Sequence, residues 1–296
     1  MRREIERAVV LLAQKDEQSL EKALELLQGT VFSFSMKVCG QREDAEDTMQ
    51  EVLVKSLPHL SKFDSARALV VWLYRVARNR CLMSRRRSKF APEPDLSLDQ
   101  LMPDKLELEL LSKEGPASPE SQAIRNQQAR QLREAVQKLP SQYRIILVLR
   151  DMEGLSDDEV SEITGLRPGN VRVRLHRARL FVRKEMAQQD GQKRRTPAKA
   201  AARVQKEAGA ATQLPRQASC KAMFAELSNY LDEQLDDSMC AQLEQHIDGC
   251  APCQAFLANL RSTIEQLRTA PADAPRTALA AKLRRDLLST LSALSF

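Results

Sequence analysis

Aromatic side chains make up only 4% of this 296-residue chain, with a single tryptophan, and glycines number nine. With so few rings and flexible links, Leu, Ala, Arg and Glu dominate, a composition that favours helices with small cores. No alternation of apolar and polar residues sustains a strand, so the expected fold class is all-α. No apolar run approaches the roughly 18 residues needed to cross a bilayer. The opening stretch MRREIERAVVLLAQKDEQ carries charge through its apolar run and offers no cleavage site, so it reads as an amphipathic helix rather than a signal peptide. A strong charge of one sign is also missing. The 46 Lys+Arg residues face 40 Asp+Glu, a net charge of +6 with a pI near 9.0, so the placement of charge matters more than its total. Cysteine is scarce and uneven. Four of the six fall within residues 220–253, while Cys39 and Cys81 stand alone. That excludes a disulfide framework and predicts a cytoplasmic chain with one metal site and no membrane contact.

Composition divides the chain into five parts. Residues 1–90 are helical in period. Residues 91–121 are proline-rich and carry eight acids against two lysines, an acidic linker. Helical periodicity resumes over residues 122–187. Residues 188–217 form a second, basic linker rich in Ala, Gln and Lys/Arg, and residues 218–296 hold the cysteine cluster.

The segment GLSDDEVSEITGLRPGNVRVRLHRARLFVRKEM has the marks of a helix-turn-helix. Ser156 and Glu159 form a capping box, Gly165 suits a left-handed helix end, and Asn170 can cap the next helix. At about 100° per residue, Val171, Leu175, Ala178 and Val182 fall on one side of that second helix, the buried one. Arg172, Val173, His176 and Arg177 fall opposite, with Arg179 at the margin. Arginine forks onto guanine and a small apolar group meets a thymine methyl, so this face suits base edges in a major groove. Arg174 and Arg183 point sideways and suit phosphates.

A second motif is His246, Cys250 and Cys253, spaced H-x3-C-x2-C, as in a zinc site. A closed tetrahedral site needs a fourth ligand. Cys240 lies six residues before His246, about 240° away on one helix, and cannot face the same ion. Cys220, on a preceding helix, has no such obstacle and is the expected ligand. Leu279, Leu283, Leu287, Leu291 and Leu294 form an apolar stripe on a last helix that needs a partner.

Four motifs in order, DAEDTMQEVLVKSL, VVWLYRVARNRCLMSRRR, LPSQYR and the helix-turn-helix ending in RLHRAR, resemble an extracytoplasmic-function (ECF) sigma factor of bacteria over roughly residues 15–187. The resemblance implies that residues 1–90 are sigma region 2 and residues 122–187 region 4. Asp44, Glu46, Asp47, Gln50 and Glu51, on a helix that also shows Val52 and Leu53, would meet the clamp of core RNA polymerase, since an acidic face repels DNA. Trp72, Arg75, Arg78 and Asn79 would bind and melt the −10 element, cations holding phosphate and an aromatic platform holding a base. Asn170, Arg172, Val173, Arg174, His176 and Arg177 would read the −35 element. The acidic linker stands where family linkers run through the polymerase cleft. Departures from the family pattern are Asn170 for a usual threonine, Val173 for a common serine, and Thr48 for an apolar residue.

The segment CKAMFAELSNYLDEQLDDSMCAQLEQHIDGCAPC resembles the zinc-binding anti-sigma domain, which usually has glycine where Glu233 stands, so a less tight turn is expected there. Together the resemblances imply a promoter-specific initiation factor, not an enzyme. It binds core polymerase, double-stranded and melted promoter DNA and one Zn2+, and its own zinc domain contacts and regulates the sigma parts, sensing redox state or metal. A coordinatively full site argues against hydrolysis by Glu233 or Glu244. A linker of about 30 residues spans roughly 30 Å and gives an effective concentration near a millimolar, so an interface of about 10 μM affinity keeps roughly 99% of molecules closed. The competing readings are a sigma factor whose zinc domain is merely structural or docks another protein, and a DNA-binding repressor that never engages polymerase.

Overall fold

The computed structural model describes residues 2–14, 16–56, 59, 63, 65–84, 94–103, 107, 122–194, 217–275 and 281–292. All regular elements among them are helical: α1 (Arg2–Gln14), α2 (Glu17–Cys39), α3 (Arg42–Ser56), α4 (Ala66–Ser84), α5 (Leu98–Leu101), α6 (Gln122–Lys138), α7 (Ser141–Leu147) with a π turn at Val148–Met152, α8 (Asp157–Thr164), α9 (Pro168–Arg194), α10 (Gln217–Leu231), α11 (Asp237–Asp248), α12 (Ala251–Arg268) and α13 (Ala281–Ser292). No helix among the described residues is long and apolar enough to cross a membrane. The chain forms two compact units. One gathers Met1–Pro94, Pro140–Val171 and Arg268–Phe296; the other gathers Asp95–Leu139 and Arg172–Leu267.

In the first unit α1 to α4 bury a common core that includes Ile5, Leu12, Phe32, Phe34, Met49, Leu53 and Tyr74. Asp16 starts α2 by accepting the Ser19 N–H at 2.9 Å, and Gly40 ends it at φ 77°, a left-handed turn that glycine adopts without strain. Past the π turn, the carboxylate of Glu153 is fully buried and accepts from Lys37 Nζ at 2.9 Å and Tyr74 OH at 2.6 Å. The Arg144 guanidinium donates to the Val38 carbonyl at 2.8 Å. A buried charge is tolerated only when so partnered. Burial and then the Glu153 carboxylate push the Tyr74 phenol well above its ordinary pKa. α13 lies against α2 and α3, with Leu287 buried and Arg284 paired to Glu21 at 2.8 Å. The side chains of Leu279, Leu283, Leu291 and Leu294 lie outside the described residues.

Cys39 and Cys81 do not stand alone, contrary to the sequence expectation. They are bonded to each other, with Cα atoms 5.5 Å apart, because the end of α2 meets the last turns of α4 across 42 residues of chain. Val52 and Leu53 are not shown on α3 either; both are core, and Val54 is the exposed apolar residue of that helix.

In the second unit Leu180 of α9 joins Phe224, Leu227, Leu243, Phe256, Leu260 and Ile264 of α10–α12 in one core. Leu101 of α5 is seated in the same core, so part of the segment expected as a plain linker is ordered. α9 also runs to Arg194, past the expected end at residue 187. Its Ala, Gln, Lys and Arg residues are good helix formers and carry the helix onward. The turn at Glu233 is not loose. Glu233 sits at φ 56°, its N–H bonds the Tyr230 carbonyl at 3.1 Å and the Gln234 N–H bonds the Asn229 carbonyl at 2.9 Å, a tight Schellman end to α10.

Candidate nucleic-acid interface and metal site

The helix-turn-helix is built by local signals. The Ser156 hydroxyl accepts the Glu159 N–H at 3.2 Å and the Glu159 carboxylate accepts the Ser156 N–H at 2.8 Å. Gly165 ends α8 at φ 75°. α9 then begins at Pro168, where a missing N–H costs nothing, so Asn170 lies within the first turn and is not the cap the sequence suggested. Val171, Leu175, Ala178 and Val182 are buried, as the helical wheel requires.

The opposite face is only partly open. Asn170 and Val173 are exposed, and Arg172, Arg174 and Arg177 are half-buried. His176 is buried rather than exposed, its Nδ1 2.7 Å from the Ser228 hydroxyl. Burial, then the Arg179 and Arg177 charges, lowers its pKa to about 4, so the ring is neutral at pH 7. Arg179 and Arg183 are fully buried. Arg179 forks onto Asp232 with contacts of 2.8 and 3.0 Å. Arg183 donates to Glu107 at 2.7 Å and stacks on the Phe256 ring at 4.4 Å. Its burial lowers the guanidinium pKa against the pull of Glu107. Arg172 donates to Gln234 at 3.3 Å, and Arg177 reaches Asp95 at 3.4 Å. The wheel identified the cationic face but not what covers it: Asp232, Ser228 and Glu107 carried no isolated signal of that role.

In the first unit, α3 buries Ala45, Thr48, Met49, Val52, Leu53 and Ser56. Its other side carries Asp47, exposed, with Asp44, Glu46, Gln50 and Glu51 half-buried. Glu46 is paired with Arg42 at 3.6 Å, and Glu51 with Lys55 at 2.7 Å and with Arg80. On α4, Trp72 is half-buried, with the His59 and Phe63 rings 5.5 and 5.7 Å from it. Arg75 and Asn79 are exposed and Arg78 is half-buried. The desolvation of Arg78, together with the neighbouring charge of Arg75, lowers its pKa. Arg75 Nη2 donates to the Glu162 carbonyl at 2.6 Å, and Arg67 lies 3.4 Å from the Glu162 carboxylate.

The turn at residues 249–250 brings three metal-binding groups together. His246 Nε2 and Cys250 Sγ each lie 3.3 Å from Cys253 Sγ, and all three donor atoms are within 4.8 Å of one another. Zinc bonds of about 2.3 Å to sulfur and 2.0 Å to nitrogen place tetrahedral donors roughly 3.5–3.8 Å apart, so this set fits a zinc ion with small adjustment. Cys240 is outside the cluster, its Sγ directed to the Leu235 carbonyl at 3.9 Å. α10 includes position 220, but the Cys220 side chain lies outside the described residues.

Three family matches follow the same order along the chain: Sigma-70 region 2 over residues 24–90, Sigma-70 region 4 over residues 129–182, and a zinc-finger family over residues 220–254. The ECF RNA polymerase sigma factor SigW of Bacillus subtilis is 26% identical over 184 residues, which cover 62% of this chain and 96% of SigW. The RNA polymerase sigma factor YlaC of the same organism is 27% identical over 172 residues, 58% of this chain and 94% of YlaC. A solved complex of the sigma factor RpoE with the anti-sigma factor NepR from Bartonella quintana matches 56% of this chain and 96% of that chain at 19% identity, with a TM-score of 0.40. With regions 2 and 4 in order and a His-Cys-Cys cluster beyond them, the chain carries Sigma-70 regions 2 and 4 followed by a zinc-finger domain, and over 62% of its length it is similar to an ECF RNA polymerase sigma factor.

Proposed function

We propose that the chain is a promoter-specific initiation factor of the cytoplasm that is held closed by its own zinc-binding tail. In this reading Asp44, Glu46, Asp47, Gln50 and Glu51 meet core RNA polymerase. Trp72, Arg75, Arg78 and Asn79 bind the −10 element, and Asn170, Arg172, Val173, Arg174, His176 and Arg177 bind the −35 element. Cys220 completes a Cys3His site with His246, Cys250 and Cys253. The metal ties α11 to α12 and takes no catalytic part.

The observation that carries the reading is the fork of Arg179 onto Asp232, with side chains 0% and 7% exposed. A guanidinium so engaged is withheld from phosphate, and separating a buried pair of this kind costs about 3–5 kcal/mol when one partner is removed. The anchor on the sigma side belongs to the recognition helix and its acid to the end of α10. α13, with Leu287 buried beside α2 and α3, supports the same reading in region 2.

The test is run-off transcription with core polymerase. It compares the full chain with the 1–217 fragment, Asp232→Asn, and the double substitution Cys250→Ser, Cys253→Ser. More transcript from the three altered proteins is expected. Equal output from all four refutes control by the tail and leaves a merely structural zinc domain. Failure of every form to bind polymerase refutes the initiation factor and favours a repressor.

A further inference from the structure

The acidic segment between regions 2 and 4 has a second occupation that no family match describes. Its described part, residues 94–103 and 107, belongs from Asp95 onward to the second compact unit, together with α9 from Arg172 onward. Leu101 is buried in the unit's core, and Leu96, Leu98 and Met102 pack on that core. From this anchorage the segment addresses three cations of the recognition helix. Asp95 faces Arg177 at 3.4 Å, the Gln100 carbonyl accepts from Lys184, and Glu107 accepts from Arg183 at 2.7 Å.

The three contacts are not equal. Asp95 is three-quarters exposed, and its pair with Arg177 counts for little in water. The pair that matters is Glu107 with Arg183, whose side chain is wholly buried. Arg183 Nε and Nη2 have no hydrogen-bond partner among the described residues, so most of the guanidinium's donors are desolvated without return. That is costly, and the Glu107 carboxylate and the Phe256 ring hold it in place. A carboxylate on an under-satisfied arginine of a recognition helix occupies the place that a DNA phosphate takes.

We infer that residues 95–107 act as an internal stand-in for the DNA backbone, masking Arg177, Arg183 and Lys184 until the segment is displaced. This rests on the chain being a sigma factor held closed, and adds a second mask, on the sigma side, to the one supplied by Asp232. Arg183 cannot bind Glu107 and a phosphate at once, so binding at the −35 element and docking of this segment exclude each other.

The experiment measures binding of the full-length zinc-loaded chain to a labelled random-sequence duplex of roughly 20 base pairs, over a range of salt. Non-specific affinity counts free cations, since each phosphate contact adds about 0.9 to the slope of log K against log salt. The first variant is Asp95→Asn with Glu107→Gln. The second is Leu101→Asn, which unseats the segment without changing net charge. Glu25→Gln, at an exposed acid on α2, controls for charge alone. Both segment variants are expected to steepen the slope by about 1–2 and to tighten binding about tenfold near 0.1 M salt. Binding by Asp95→Asn, Glu107→Gln no tighter than twice the effect of Glu25→Gln overturns the inference, whether or not Leu101→Asn folds. Asp232→Asn separates the two masks. If it alone tightens binding, the tail reading stands and the linker mask falls; if no variant does, both fall.

Discussion

Glu233 bears a backbone conformation that a side chain resists. At φ 56° its Cβ crowds the following carbonyl, a cost of roughly 1–2 kcal/mol that glycine escapes, while glycine's extra freedom in the unfolded chain returns about 0.5–1 kcal/mol of it. Glu233→Gly is therefore expected to stabilise the second unit by about 0.5–1 kcal/mol, read as a rise in urea midpoint at constant slope. Glu153 gives the opposite case. Its carboxylate is buried between Lys37 and Tyr74, so Glu153→Ala removes the buried charge that both of them bond and is expected to cost about 3–5 kcal/mol in the same assay. The contrast shows which residues were legible in sequence. Ser156 with Glu159 and Gly165 are caps, decided by neighbours three or four positions away, and the structure has each as read. Glu153 with Lys37, and Cys39 with Cys81, are decided by partners 116 and 42 residues away, which no local pattern announces.

Among the elements, α9 has the most legible core stripe and the least legible surface. Its buried stripe followed from period alone. Its other face is not legible in the same way, because a helical wheel divides a helix into core and the rest, and cannot say that the rest meets other parts of its own chain. His176 is where that matters for pH. In the open or unfolded chain it takes a proton near 6.5; in the packed unit it resists until about 4, because burial and then the Arg179 and Arg177 charges disfavour imidazolium. The stability it supports is therefore complete above pH 6.5 and is lost as pH falls from there toward 4. At about 1.36 kcal/mol per unit, the loss approaches 2 kcal/mol by pH 5 and about 3 kcal/mol at most. Urea unfolding of the full chain at pH 7 and pH 5 checks this, with His176→Gln as the comparison. The substitution is expected to remove about 2 kcal/mol of the difference between the two pH values. An unchanged difference would show that His176 is not the group responsible.

For the whole molecule, a net charge of only +6 conceals how its cations are spent: Arg177, Arg179 and Arg183 of the recognition helix are matched by carboxylates drawn from both sides of region 4 in the sequence. In the proposed function the metal governs one of those sources. A small domain whose ligands must be deprotonated and gathered draws folding free energy from its ion, so removal of zinc is expected to loosen α11 and α12 and, with them, the core that seats Phe256 and Leu101. Two measurements follow. Metal analysis of the full chain is expected to give one zinc per molecule, with Cys220→Ser weakening retention and Cys240→Ser leaving it intact, since Cys240 stands apart from the cluster. Zinc removal by a chelator is expected to tighten non-specific duplex binding at least as far as Asp232→Asn does, because it releases Arg179 and Arg183 together. The salt slope should then steepen by about 2, roughly 0.9 for each freed cation, and return to its starting value when zinc is restored. A slope that stays flat while the chelator strips the metal would mean that the arginines are held without help from the ion, and that the cluster serves only its own corner of the fold.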